Sequence, residues 1–445
     1  MSLLQKIKTY LQDDPLIRRV LRNSGYLFSG NTISTVLGFA QTILMVRLLG
    51  IEQYGLAAGI MLFATNVNRF LSFRMSEVVT KYMGEALAQE NKERAGALAK
   101  WIGVTEALIS VLAYLVLFFL ASWYYKDPAI VPLFRFYGLY LIANIVYETS
   151  TGILQVTDKF ARVAFANLLQ GIVTAAIVGI AFIMRWGMFE ILAAYLVGKI
   201  IAAWVVTSSA IRELKRKVGA GWLYAPASLI LDWRSISRFA VSTNINGTVN
   251  LFARDNVPLY IQSLLGPVAG NLALGYFNLA SKLITLVTLP IEPFIWPTYT
   301  EITRTIAQRQ WLATRKLLRQ ISLVGGVWTL IAGGGLVALG WWFIPLIFKA
   351  GSAPAYPCLL ILLIGYSFAN VLNWNRPLLL ALGYPNYPLV VAALTGAIEI
   401  VLIYLFVPSG GYLIGAAIFS AYLAISVSIN VLHGLAIIKR EETTA

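Results

Sequence analysis

The 445-residue chain is 58% hydrophobic and only 12% charged, with a mean hydropathy of +0.73, whereas a soluble globular protein carries about 25% charged residues. So few charges cannot cover a water-facing surface, which makes the chain an integral membrane protein. A single cysteine, Cys358, excludes an internal disulfide and a cysteine-rich metal site, and the net charge of +15 is explained by basic loops on one side of a membrane rather than by nucleic acid.

The N-terminal stretch MSLLQKIKTYLQDDPLIRRVLRNSG has no apolar core ahead of a small-residue cleavage site, so it does not read as a signal peptide. From Pro15 it places Leu16, Ile17, Val20 and Leu21 opposite Arg18, Arg19 and Arg22. That pattern suits a helix lying in the interface or a polar extension of the first span. A spanning helix needs roughly 20 mostly apolar residues. Twelve stretches qualify: 25–48, 54–83, 98–124, 130–155, 161–184, 188–211, 237–265, 271–299, 315–347, 355–382, 387–407 and 411–437. Several exceed what the hydrocarbon requires and are expected to tilt or project beyond it. The expected fold is therefore an all-α polytopic membrane protein with 12 transmembrane helices.

Lys and Arg sort sharply between the two sets of connections. One side holds only Arg47, Lys126, Arg135, Arg185 and Lys349, and the remaining helix-end cations collect on the other, together with both termini. That bias predicts cytoplasmic termini in a cytoplasmic (inner) membrane. The expected plan is a cytoplasmic amphipathic segment 1–24, an N-lobe 25–211, a basic linker 212–236, a C-lobe 237–438 and a cytoplasmic tail 439–445.

The chain also repeats. SGNTISTVLGFA (29–40) aligns with NINGTVNLFARD (244–255) when Leu48-Leu49-Gly50 is laid over Leu264-Leu265-Gly266. ALAQENKERAGALAK (86–100) aligns with TIAQRQWLATRKLLR (305–319), so the offset is about 216 to 219 residues. This predicts a parallel repeat: two pseudo-symmetric six-helix bundles with a cleft where transporter substrates tend to bind.

A charge at mid-membrane is costly, ~2.5–3.5 kcal/mol on insertion scales, so each needs a reason. The cations considered for a cavity are Arg69, Arg74, Arg254, Lys282 and Arg376, and the acids considered for ion coupling are Glu148, Asp255, Glu292 and Glu399. In the seventh span Ser242, Asn246, Asn250 and Arg254 recur every four residues and form one polar stripe. Such a stripe lines a hydrophilic path or bonds a neighbouring helix. In the first span Asn31, Thr35, Gly38 and Thr42 follow the same pattern without a cation. Arg74 is set to pair with Glu77, three residues on. Arg47, near the outer end of the first span, is read as a snorkelling helix-end anchor or a residue of the outer mouth. The lone His433 reads as a packed or interfacial side chain. With one histidine, no P-loop and no dinucleotide fingerprint, no enzyme constellation is visible and no cofactor is expected.

The phrase VRLLGIEQYGLAAG (46–59) resembles the hinge between the first two helices of polysaccharide exporters. These belong to the multidrug/oligosaccharidyl-lipid/polysaccharide exporter superfamily. ARDNVPLYIQSLLGPVAGNLALGYFNLASKL (253–283) is similar to that family's seventh and eighth helices. Two departures stand out. LSFRMSE (71–77) occupies the place of a Gly-rich DLGL-like break, and lipid II flippases of the superfamily usually have fourteen helices. The resemblance implies a flippase that moves a polyprenyl-diphosphate-linked oligosaccharide outward for polysaccharide synthesis. It would work by alternating access, among membrane lipids and other polysaccharide-assembly proteins. Arginine matches phosphate oxygens with a planar fork of donors, and Arg254 and Arg69 are the residues expected to hold the diphosphate. A cation-coupled multidrug exporter of the same superfamily is the alternative within the family, and a membrane glycan polymerase or ligase is the alternative of another class.

Overall fold

The computed structural model describes residues 15–125, 127–292 and 295–444, with the side chains of 15–31, 246, 296, 297, 300 and 444 outside the description. All regular structure among these residues is helical. In chain order the helices are α1 (Pro15–Leu49), α2 (Ile51–Leu71), α3 (Met75–Val78), α4 (Gly84–Ala88), α5 (Lys92–Tyr124), α6 (Val131–Ala143), α7 (Tyr147–Val156), α8 (Phe160–Met184) and α9 (Met188–Val218). They continue with α10 (Trp233–Asn250), α11 (Val257–Leu265), α12 (Pro267–Thr288), α13 (Ile295–Ala307), α14 (Trp311–Phe348), α15 (Ala355–Val371), α16 (Asn375–Ala381) and α17 (Tyr387–Thr444).

Among the described residues, eight segments are long and apolar enough to cross a membrane by themselves. The other expected spans are built from shorter pieces. The stretch 130–155 breaks between α6 and α7, and 237–265 passes through a π-helical turn at Leu251–Asp255. The stretch 271–299 breaks after Thr288. The last two expected spans form one run, α17, interrupted at Gly411, where φ is +72°.

The repeat is written into the backbone. Left-handed turn residues recur in both halves: Gly50 (φ 79°) with Gly266 (80°), Glu90 (57°) with Arg309 (54°), Asp158 (57°) with Gly383 (87°), and Arg185 (55°) with Gly411 (72°). The hydrogen bonds recur with them. Asn91 N–H donates to the Ala86 carbonyl as Gln310 N–H does to Thr305, both at 2.9 Å. Lys159 donates to Leu154 at 2.7 Å as Tyr384 does to Leu379 at 2.9 Å. Helix breaks recur too, at Asn144–Val146 and again at Leu372–Trp374. Conserving the hand of each turn preserves the direction of each following helix, which is what a parallel repeat requires.

The chain forms two compact units that differ from the expected lobes in two places. One unit comprises the chain up to Leu44 with Val67–Ile245, the other Met45–Asn66 with Asn246 onward. The end of α1 and most of α2 therefore pack with the second half of the sequence. The reason is close helix contact. A Cβ on Gly55 would collide with the Asn271 carbonyl, one on Gly275 would meet the Ile51 carbonyl, and one on Gly59 would lie 2.8 Å from a Leu274 methyl. Small residues let helix backbones approach where lipid supplies no hydrophobic drive. The expected linker 212–236 is also no free tether. α9 continues to Val218, and Trp222, Ala225, Leu229 and Trp233 pack against the core of the first unit around Ala97, Val206 and Ile230.

Replacing Gly55 by Ala is expected to force α2 and α12 apart and to destabilise the protein by about 1–3 kcal/mol, as overpacking does. A lowered melting temperature in detergent checks this, with Gly38→Ala as control, since open space surrounds that position.

Candidate functional site

In the first unit the polar groups gather around two helix breaks. LSFRMSE separates α2 from α3 without a glycine: Phe73 and Arg74 both adopt φ of 50°. A left-handed non-glycine residue costs about 1–3 kcal/mol and persists only where its surroundings impose it. Here the Glu148 carboxylate accepts hydrogen bonds from the Ser72 hydroxyl and from the N–H groups of Met75 and Ser76, which open α3. Glu148 itself stands in the first turn of α7, at the second break. Its N–H donates to Glu106 Oε1 at 2.8 Å, and the Thr149 N–H donates to Glu106 Oε2 at 2.8 Å. Two carboxylates in series thus satisfy the free N–H groups of two helix starts, where negative charge also meets the positive end of the helix dipole.

A small cavity lies against this ladder, its polar wall formed by Asn68, Ser72, Glu106, Ser110, Asn144 and Glu148. Glu148 Oε2 is shielded from solvent and lacks a hydrogen-bond partner among the described residues. The buried Lys199 ammonium lies 3.5 Å from the Tyr147 ring centroid and 5.5 Å from that of Tyr140, a cation–π arrangement. The Tyr147 hydroxyl donates to Asn167 Oδ1 at 3.2 Å.

The second unit carries the other cluster. Arg254 stands on the π-turn Leu251–Asp255, which is followed by Pro258 near the start of α11. The guanidinium carbon lies 5.9 Å from the Tyr366 ring centroid. Arg254 hydrogen-bonds to Tyr366 and interacts electrostatically with Asp255 and Tyr422, yet its side chain is exposed. Asn66 Nδ2 donates to Asn256 Oδ1 at the break before α11. Glu399 is 2% exposed and neither of its oxygens has a hydrogen-bond partner among the described residues. The nearby hydroxyls are those of Tyr260 and Tyr422.

The remaining expected residues are dispersed. Arg69 and Arg74 are exposed in the first unit, and Arg74 pairs with Glu77 at 2.9 Å, a surface pair worth about 0–1 kcal/mol. Lys282, Glu292 and Arg376 are exposed in the second unit. Asn250 is exposed on α10. The side chains of Asn31 and Asn246 lie outside the described residues. Arg47 turns its donors onto the last carbonyls of α14: Nε to Ile347 at 2.6 Å and Nη2 to Leu346 at 2.8 Å. It caps a helix C-terminus, where carbonyls lack partners and a cation meets the negative end of the dipole. His433 stacks on Tyr387 with ring centroids 3.9 Å apart.

Sequence reasoning passed over Glu106. Its signal was available, an acid in the middle of the apolar run WIGVTEALISVL (101–112). Nothing in the sequence marks Tyr147 or Tyr366 as cation partners, because aromatic residues are common in every span.

Long apolar helices in two repeat-related halves, broken where polar side chains gather, define a multi-pass membrane protein. The chain belongs to the polysaccharide biosynthesis protein family, whose sequence profile matches residues 20–303. It is 24% identical to inner membrane protein YghQ of Escherichia coli K12, a match covering 77% of this chain and 96% of that one. Its fold is similar to that of a multidrug resistance MATE family transporter in an inward-facing conformation, with a TM-score of 0.74, 13% identity and coverage of 93% and 96% of the two chains. A MOP superfamily transporter from Pyrococcus furiosus, described as having a binding pocket of reversed polarity, matches with a TM-score of 0.64, 14% identity and coverage of 97% and 98%. A MATE family transporter in an outward-facing conformation matches at 0.63, with 15% identity and coverage of 97% of both chains.

Replacing Glu106 by Ala strands the N–H groups of Glu148 and Thr149, each a loss of about 1–3 kcal/mol when buried. The expected result is a marked drop in melting temperature in detergent, with Glu106→Gln, which keeps one acceptor, falling between the two.

Proposed function

We propose that this protein is a flippase that carries a polyprenyl-diphosphate-linked oligosaccharide across the cytoplasmic membrane by alternating access, with both termini in the cytoplasm. The observation that carries the reading is Arg254: an arginine at a break in an apolar span, beside Tyr366 and exposed. A guanidinium so placed has donors left for phosphate oxygens, and its planar fork suits a diphosphate. Arg69, in the first unit, and Lys282 and Arg376, in the second, are the further cations proposed for substrate binding. Asn31, Asn246 and Asn250 supply amide groups for sugar hydroxyls. Family membership supports the glycan as cargo, and the inner-membrane relative supports the location. Similar folds described in inward- and outward-facing conformations support alternating access. The membrane lipids and other polysaccharide-assembly proteins are the expected partners.

Coupling to an ion would fall to the buried acids. Both oxygens of Glu399 and the Oε2 of Glu148 lack hydrogen-bond partners among the described residues, and such a shielded oxygen is a place for a proton or cation to bind. Asp255, beside Arg254, and the exposed Glu292 are the weaker candidates. These same acids favour the second reading, a cation-coupled multidrug exporter, which also accords with the MATE family neighbours. A membrane glycan polymerase or ligase is disfavoured by the family match, and bond formation by the purified protein would revive it.

Each charge-assisted hydrogen bond is worth about 1.5–3 kcal/mol, so Arg254→Ala is expected to weaken binding of the purified protein to polyprenyl-diphosphate oligosaccharide by roughly ten- to a hundredfold. Arg254→Lys should recover part of that loss. Native mass spectrometry measures it, and unchanged binding in the alanine variant removes Arg254 from the site. For coupling, a proton gradient should accelerate wild-type transport in vesicles and leave the Glu399→Gln variant, which folds with a neutral isostere, unaffected.

A further inference from the structure

The segment between α9 and α10 is held by one set of its apolar residues and offers another outward. Two 3₁₀ turns, Ala220–Tyr224 and Ala227–Leu229, carry it. Trp222, Ala225, Leu229, Ile230 and Trp233 pack into the first unit. Polar ties add to this: Arg94 donates to both oxygens of Asp232 at 3.1 Å, and Lys100 Nζ donates to the Ala225 carbonyl at 3.1 Å. The segment is thus fixed in position, yet Leu223 is 52%, Tyr224 87% and Leu231 93% exposed. A rigid segment that projects three apolar side chains has a surface to cover.

Its depth says what covers it. The segment packs beside the start of α5, where a Cβ on Gly96 would lie 2.9 Å from Val218 and 3.2 Å from Trp222. α5 has 33 residues, about 50 Å at 1.5 Å per residue, against ~30 Å of hydrocarbon. Its charged end, with Lys92, Glu93, Arg94 and Lys100 followed by Trp101, is the part that extends through the headgroup layer. A tryptophan at that boundary is the usual interfacial anchor. Around the segment Lys215, Lys217 and Arg234 are exposed. Apolar and aromatic tips ringed by cations at headgroup depth are complementary to an anionic lipid leaflet.

We propose that residues 219–232 form a lipid-docking surface: Leu223, Tyr224 and Leu231 insert into the interfacial layer of the leaflet on the protein's basic side, and Lys215, Lys217 and Arg234 engage lipid phosphates. The docked segment fixes to that leaflet the root of α10, the helix along which the chain passes from one unit to the other at Ile245–Asn246.

Single cysteines test this, because the native Cys358 is buried. Tyr224→Cys and Leu231→Cys carry an environment-sensitive fluorophore, with Gln89→Cys, exposed in the α4–α5 turn, as the reference and Leu223→Cys as the substitute should either variant fail to fold. Each is reconstituted in phosphatidylethanolamine/phosphatidylglycerol vesicles. The expected result is several-fold stronger quenching at 224 and 231 than at 89 by a lipid bearing a nitroxide near its headgroup, and the reverse order with aqueous iodide. Replacing phosphatidylglycerol by phosphatidylcholine should lower the lipid quenching, and no change would remove the role given to the three cations. Iodide quenching at 224 and 231 equal to that at 89, with the lipid quencher silent, overturns the proposal and leaves the surface to a soluble protein partner.

Discussion

The constraint on which this structure depends is that a backbone N–H has no water to bond with inside a bilayer. An unbroken helix meets it automatically. This chain breaks its apolar spans repeatedly, at Ser72–Arg74, Asn144–Val146, Leu251–Asn256 and Leu372–Trp374, and each break frees backbone groups that need partners. The polar side chains within the spans are placed accordingly. Glu106 takes two N–H groups at the second break, and Glu148 takes two more at the first. Asn256 holds Asn66 at the third. At the fourth, Asn373 and Asn375 donate to the carbonyls of Asn370 and Leu372. Intramembrane charge is costly, and in the first unit much of it is used to make broken helices tolerable.

That division of labour separates structural polarity from polarity open to a substrate. Both oxygens of Glu106 accept backbone N–H groups, and Arg47 spends two of its donors on capping a helix C-terminus. Arg254 differs. It interacts with Tyr366, Asp255 and Tyr422, yet the side chain stays exposed although it sits in an apolar span. Glu399 differs in the opposite sense, being buried with no hydrogen-bond partner among the described residues. The proposed anion site rests on the first of these contrasts and the proposed ion site on the second.

Much of the fold was legible because it is written in local chemistry. Length and hydropathy mark the spans, and the Leu-Leu-Gly turns that revealed the repeat end in glycines at φ of 79° and 80°. Other features depend on contacts distant in sequence. Arg47 reads as a lone cation at a helix end, and only the fold brings it to carbonyls 300 residues away. LSFRMSE lacks the glycine that announces a break, and the break exists because Glu148, more than seventy residues on, bonds the freed N–H groups. The packing of 45–66 with the second half follows from the glycines at 55, 59 and 275, whose spacing says that a helix will approach closely without saying which one.

The central claim is that the cargo is an anionic lipid-linked glycan. The most direct measurement places the purified protein in liposomes carrying a fluorescent polyprenyl-diphosphate oligosaccharide in both leaflets and follows its exposure to a membrane-impermeant reagent. The account predicts that probe shielded in protein-free vesicles becomes reactive when the protein is present, and that a cationic dye is not moved. Transport of the dye with the glycan probe left shielded would contradict it.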